Sequence, residues 1–328
     1  MSGGSTTRKE AMEDASRDSP GVSKDCCGVL LLAHGAPDRL EDIPEFLLHV
    51  RGGRKLPDAA VEEVKRRYAL VGGGSPLLRQ TNRQAEALAE MLGQPVFVGM
   101  RNWKPFISES VRRLAEEGIR RVVALCLAPQ NSRTSVGLYR ERLRDAVEKF
   151  APHLEVEFVE SWHVQADLIA AFREKISRAL DKVEELAGGG APVIFTAHSV
   201  PARTIADGDP YERQVRETAA SVARMMSLGE WSVAFQSQGM TDEPWIGPTV
   251  ESEIDRAAAA GHRGVLIAPV GFVSDHVEIL YDIDVVLRDY GRSKGVTVSR
   301  SESLNDSPLF IRALASIVGS RVRGQGWG

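Results

Sequence analysis

The 328-residue chain reads as an α/β protein built of two similar Rossmann-like lobes, each a doubly wound, four-stranded parallel sheet. Three observations predict this. Short, continuously apolar runs alternate with amphipathic stretches along the chain, as in a parallel sheet covered by helices on both faces. Ala33-His-Gly-Ala-Pro37 and Ala197-His-Ser-Val-Pro201 each follow such a run, so the sequence echoes itself. Gly99-Met100 precedes Ala128-Pro129 by the same interval as Gly239-Met240 precedes Ala268-Pro269, in the same order.

The elements follow in order. Residues 1–24, rich in Ser, Gly and charge, are expected to be a disordered leader. Gly28–Ala33 is a buried strand, 84–92 a helix with Leu88, Met91 and Leu92 on one side, and Val96–Val98 a strand. A helix over 107–117 and a strand over 122–127 complete the recognisable part of the first lobe. Helices over 166–187, 211–226 and 249–260 alternate with strands at Val193–Thr196, Val233–Phe235 and Val265–Ala268 in the second. The lobes are drawn at 25–160 and 161–328, with Gly188-Gly-Gly190 near the join and the last helix folding back on the first lobe. Ligands in open parallel sheets bind beyond the carboxyl ends of the strands, so polar residues just after apolar runs are the ones to examine.

Composition narrows the function classes. The chain is 43% hydrophobic and 26% charged, with a net charge of −4. No global basic field points to nucleic acid. Its longest apolar runs fall far short of the roughly 18–20 residues of a membrane span, and the N-terminus lacks the apolar stretch of a signal peptide. A cytoplasmic protein without a membrane anchor, acting as a monomer, is expected. Cys26, Cys27 and Cys126 include no Cys-x-x-Cys pair, so neither a four-cysteine zinc site nor an iron–sulfur cluster is expected. Metal chemistry would fall to His and carboxylates.

Three groups carry candidate chemistry. His198 follows an apolar strand, where it is either a turn histidine or a site residue. Glu278 lies in Pro269-Val-Gly-Phe-Val-Ser-Asp-His-Val-Glu278. Asp275-x-x-Glu278 has capping-box spacing, yet Asp275, Glu278 and Asp282 also share one α-helical face, with Ile279, Leu280 and Ile283 on the apolar side. Carboxylates so gathered repel unless they meet water or a cation. One imidazole and one carboxylate suit a loosely held divalent metal. Arg51, Arg54, Arg67 and Tyr68, followed by Gly72-Gly-Gly-Ser-Pro76, form a basic and aromatic group able to clamp carboxylates. Trp245, in a Pro/Gly-rich loop, is a core residue or a ring that stacks on a planar ligand. The signatures of P-loops, dinucleotide folds, serine hydrolases and zincins are missing from the sequence.

Together, Leu31-Leu-Ala-His-Gly-Ala-Pro37, Gly73-Gly-Ser-Pro-Leu77, Leu127-Ala-Pro-Gln130 with Ser135 and Tyr139, Thr196-Ala-His-Ser-Val-Pro201, Gly208-Asp-Pro-Tyr211, Gln236-Ser-Gln-Gly239, Glu243-Pro-Trp-Ile-Gly-Pro248 and the Pro269–Glu278 segment resemble the ferrochelatases, from about residue 28 to 316. The resemblance implies the class II chelatase-like fold around a porphyrin cleft, and insertion of Fe²⁺ in haem biosynthesis. Fe²⁺ and porphyrin would be substrates, with no permanently bound cofactor, and enzymes upstream and downstream in the haem pathway would be candidate partners. It further implies that His198 and Glu278 face the metal and the pyrrole nitrogens. Asp282 would lead from the metal site toward solvent. His34, Arg51, Arg67, Tyr68, Ser75, Tyr139 and Trp245 would line the porphyrin pocket.

His34 occupies the place from which some members ligate iron axially, where the compact bacterial branch usually carries Tyr. As the counterpart of His198 in the echoed turn, it is expected on the opposite face of the macrocycle. Val285 and Val286 stand where some members have a further acidic residue, and Asn102 replaces a pocket histidine of some relatives. The short, polar segment 49–67 resembles the branch that metallates coproporphyrin III. A protoporphyrin IX ferrochelatase, a haem carrier and a cobalt chelatase of the same fold are the alternatives; a periplasmic-type binding protein is disfavoured by the missing signal.

Overall fold

The computed structural model describes residues 27–239 and 243–327. The expected leader, Cys26 and Met240 lie outside the described residues.

Strands β1 (Cys27–Ala33), β2 (Val96–Met100), β3 (Arg121–Cys126) and β4 (Glu155–Val159) form one parallel sheet in the order β2-β1-β3-β4. Strands β5 (Val193–His198), β6 (Trp231–Gln236), β7 (Gly264–Ala268) and β8 (Thr297–Arg300) form a second parallel sheet in the equivalent order β6-β5-β7-β8. The internal echo therefore marks a repeated topology. His34 follows the central strand of one sheet and His198 ends the central strand of the other.

The apolar runs became these strands because both faces of each sheet are covered. Val29 to Leu32 and Val265 to Ala268 are fully buried. One continuous core lies between the sheets. It joins Leu31, Val123 and Leu125 to Phe195, Leu266 and Phe310 through helices α3 (Leu77–Leu92), α6 (Ala166–Ala187), α8 (Tyr211–Met226) and α11 (Pro308–Gly324). Two smaller cores cover the outer faces. One forms under α4 (Ile107–Glu116) and α5 (Val136–Phe150), the other under α9 (Val250–Ala259). Two short helices, α7 (Ala202–Ala206) and α10 (Arg288–Ser293), lie in the second lobe, and helix α11 packs on α6 and also on α3 and β3.

Several elements were not anticipated. The edge strands β4 and β8 are short and mostly half-exposed, so no apolar run announces them. Helices α1 (Ile43–Val50) and α2 (Asp58–Leu70) stand where a short polar lip was read; most residues of that lip are exposed. Beyond Glu278, residues Ile279–Leu287 form a π-helix rather than the expected α-helix. No helix among the described residues is long and apolar enough to cross a membrane.

Candidate active site

The site forms where the carboxyl ends of the central strands meet the loops that follow them. His198 is the last residue of β5, paired in register with Gln236. Gly271 permits the close approach of the loop after β7. Its amide donates to the Thr196 carbonyl (3.0 Å), and a Cβ there would come within 2.5 Å of the Ala197 side chain. That tight passage brings the Ser274–Glu278 segment beside His198.

His198 Nδ1 lies 2.5 Å from the Ser199 carbonyl oxygen. A carbonyl only accepts, so Nδ1 carries the proton and Nε2 presents its lone pair. That Nε2 is 4.0 Å from Glu278 Oε2. The gap approaches the sum of two metal–ligand bonds of about 2 Å, so a divalent cation fits between the two. Tyr211 Oη donates to the His198 carbonyl (2.9 Å) and fixes the backbone at that point.

Glu278 is half-exposed, at 51% of its side-chain surface, although protein atoms crowd it on several sides. Burial alone would raise its carboxyl. The polar contact with the His276 ring, then the electrostatic pull of the surrounding imidazoles, outweighs burial and holds it far below the usual carboxylate range. His276 Nδ1 contacts the Ser274 carbonyl (3.0 Å) and its Nε2 lies 3.7 Å from Glu278. Burial opposes its protonation, but the Glu278 carboxylate prevails and raises it.

Asp282 lies one π-turn further on. Burial raises its carboxyl, the Ser237 hydrogen bond opposes, and the nearby Glu278 charge adds to the rise. Ser237 reaches Asp282 from a left-handed backbone (φ 58°) just past β6. Two neighbouring carboxyls are thus pushed in opposite directions, one toward permanent charge and one toward accepting a proton.

Asp275 does not share the face of Glu278 and Asp282, and the capping-box alternative fails with it. Its carboxylate accepts from Ser303 and Asn305 (2.8 Å each) and pairs with Arg300 (3.3 Å). Arg300 also donates twice to Asp284, at 2.9 Å each. Asp275 is an anchor for the Ser274–Glu278 segment. The chain turns helical only at Val277.

The proposed porphyrin residues take varied positions. His34 sits beyond β1, with Nδ1 2.9 Å from the Gly35 carbonyl and Nε2 3.0 Å from Asn102 Nδ2. Burial pushes its pKa down to about 4, and the Arg101 charge adds to this. Tyr139 is buried beneath the Arg101 guanidinium, 4.9 Å from its ring centroid. Tyr68 is buried with Ile43, Val277 and Tyr281, and burial, then the Glu278 charge, raises its phenol. Arg67 pairs with Glu63 (3.0 Å) and lies over the Tyr281 ring. Ser75 is buried, its amide bonded to the Pro37 carbonyl (2.9 Å). Trp245 packs its ring against Gly239, where a Cβ would come within 2.5 Å. Arg51 caps α1, exposed and without an ion pair among the described residues. No contact joins it to the metal-facing pair.

Sequence reasoning missed two neighbours. His276 stood inside the Asp-His-Val-Glu segment but was not singled out. Arg101 directly follows β2, the same position rule that flagged His198, and its Nη1 is buried without a hydrogen-bond partner. Among the described residues, no three His, Cys, Asp or Glu side chains are gathered into a metal cage.

The chain is similar to known proteins over most of its length. The ferrochelatase family model matches residues 26–322. A ferrochelatase from Acidobacterium capsulatum is 46% identical over 307 residues, covering 89% of this chain and 93% of that protein. A coproporphyrin III ferrochelatase from Geobacillus thermodenitrificans is 34% identical, covering 93% and 99%. The fold resembles that of the sirohydrochlorin chelatase SirB from Bacillus subtilis subspecies spizizenii, with a TM-score of 0.58 at 10% identity over 91% of this chain and 96% of that one.

Proposed function

Because the chain belongs to the ferrochelatase family and is a ferrochelatase, inserting Fe²⁺ into a porphyrin, we propose that its substrate is coproporphyrin III, which it metallates at His198 and Glu278. The observation that carries the substrate reading is a surplus of unneutralised donors. Arg51 stands exposed on the lip without an acid, and Arg101 buries an unpartnered Nη1 beside Tyr139. Coproporphyrin III carries four propionates and protoporphyrin IX two, and each extra carboxylate needs a cation, a donor or water. A vinyl edge wants an apolar cover instead, which the mostly exposed, polar 49–67 segment does not offer.

The chemistry follows from the two carboxyls and the imidazole. Metal insertion releases two pyrrole protons. The His198 Nε2 lone pair and the ionised Glu278 meet the cation and those protons together, while His276 balances the Glu278 charge. Asp282, the carboxyl that more readily takes a proton, forms the next step toward solvent. Arg67 and Tyr68, close to that helix, orient the macrocycle from the same wall.

One observation favours the protoporphyrin alternative. Val50, on the lip, and Leu70, just beyond it, end α1 and α2 as exposed apolar residues. The two readings separate in an anaerobic absorbance assay of Fe²⁺ insertion into each porphyrin. A higher kcat/KM for coproporphyrin III, reduced by Arg51→Ala and by salt, is expected. Equal or reversed values would overturn the coproporphyrin reading.

A further inference from the structure

We propose that Asn102 is a positioning residue that masks His34: its carboxamide N–H occupies the ring lone pair through which that imidazole would bind the product iron. The inference rests on the reading of His34 as the residue facing iron opposite His198.

The geometry leaves one protonation pattern. His34 Nδ1 is 2.9 Å from the Gly35 carbonyl oxygen, which only accepts, so Nδ1 bears the proton. The remaining lone pair is on Nε2, and Asn102 Nδ2 stands 3.0 Å from it. Turning the amide over would set its carbonyl oxygen against that lone pair.

The pair is also tied together through the backbone. The Asn102 amide donates to the His34 carbonyl (2.9 Å), and the Arg101 amide donates to the Ala33 carbonyl (3.0 Å). Asn102 is buried at 7% exposure, and the Phe46 ring packs edge-on to His34 at 6.2 Å. These contacts hold the amide and the ring side by side. One lone pair cannot accept an N–H and bind iron at once. Iron seated in the macrocycle must displace the amide, so Asn102 weakens the axial bond and speeds release of the metallated product.

The test uses the full chain and ferric iron coproporphyrin III, read by absorption spectrum, dissociation constant and dissociation rate. Asn102→Ala uncovers the lone pair. It should tighten binding about fivefold, equivalent to about 1 kcal/mol for one hydrogen bond, slow dissociation and increase the nitrogen-ligated spectrum. Asn102→Asp keeps the size but replaces the donor by an acceptor that draws a second proton onto Nε2. It should lose the nitrogen-ligated spectrum and bind more weakly. A merely structural role would move both variants the same way, and that result overturns the proposal. An unchanged spectrum and affinity in both variants also overturns it. So does a His34→Ala protein whose bound spectrum equals that of the parent. In that last case metal insertion by the His34→Ala protein, measured separately, shows whether the reading of His198 and Glu278 survives.

Discussion

Replacing Glu278 by Gln removes one charge from the metal-facing pair while keeping its volume, and its effect follows from the site's distances. Oε2 lies 3.7 Å from His276 Nε2 and 4.0 Å from His198 Nε2, so a cation held by His198 sits well within 4 Å of the carboxylate. At 4 Å two unit charges attract by about 1 kcal/mol in bulk water and about 4 kcal/mol at an effective dielectric of 20. A divalent cation doubles both. Because 51% of the Glu278 side chain is accessible, screening places the operative value between the limits, at roughly 4 kcal/mol. At 1.36 kcal/mol per decade this is about a thousandfold in kcat. Fe²⁺ insertion should fall by that order in the absorbance assay, while porphyrin affinity, read by fluorescence quenching, changes less than about twofold. Circular dichroism checks that the variant is folded. A folded Glu278→Gln protein that keeps more than a tenth of parent kcat refutes the reasoning, because a neutral amide would then serve as well as a charge.

Three further outcomes are expected. Asp282 has a raised carboxyl, so its ionised form costs stability above the folded value and nothing below the unfolded one. Asp282→Asn should therefore raise Tm at pH 7 with a gain that vanishes as pH falls below the ordinary aspartate range, as a pH series of melts would show. Arg300→Met leaves Asp275 without its cation, and Asp284 with only the more distant Arg288 (3.8 Å), at a side chain just 12% exposed; urea unfolding should show a loss of about 3 kcal/mol. Tyr211→Phe removes the donor to the His198 carbonyl; a stability loss of about 1 kcal/mol should accompany a fall in kcat at unchanged porphyrin affinity, measured by denaturation and steady-state kinetics.

What the sequence disclosed depended on whether a residue's role is local. Strands β1, β3, β5 and β7 are buried on both faces, so they appear as unbroken apolar runs. Strands β4 and β8 are edges, with Glu155 and Thr297 exposed, and their pairing partners rather than their composition make them strands. The π-helix left no mark in the sequence. Ile279, Ile283 and Leu287 are buried at intervals of four, and Glu278 and Asp282 keep that interval. An α-helix presents the same stripe, so spacing alone does not separate the two. His198 and Glu278 were legible because each stands in a distinctive segment just past a buried strand. The anchoring of Asp275 by Arg300, and the capping of His34 by Asn102, join residues far apart in the chain, and no spacing reports them.

The polar seam between the lobes explains how His198 and Glu278 are held in a fixed relation. Gln84 of α3 donates to Ser274 Oγ (2.8 Å) and to the Asn305 carbonyl (2.9 Å), both from the loops that carry Glu278 and its anchor. Gln130, just past β3, donates to Thr218 of α8 and to the Val270 carbonyl (3.1 Å each). Asp209 accepts from Ser132 Oγ (3.1 Å) and the Arg133 amide (2.7 Å), and its other oxygen accepts from the Tyr211 amide (3.0 Å). Tyr211 in turn holds the His198 carbonyl. Each link contributes only about 1 kcal/mol net, but breaking one strands a buried polar group at a cost of about 1–3 kcal/mol. Apolar packing alone would tolerate the small slides that shift a 4.0 Å His198–Glu278 gap, because it has no direction. Directional bonds from the first lobe to both segments bearing the metal-facing residues resist those slides. On the proposed reading of His198 and Glu278, the protein is stiff where the cation would pass, which would leave the macrocycle, rather than the protein, to bend as the metal enters.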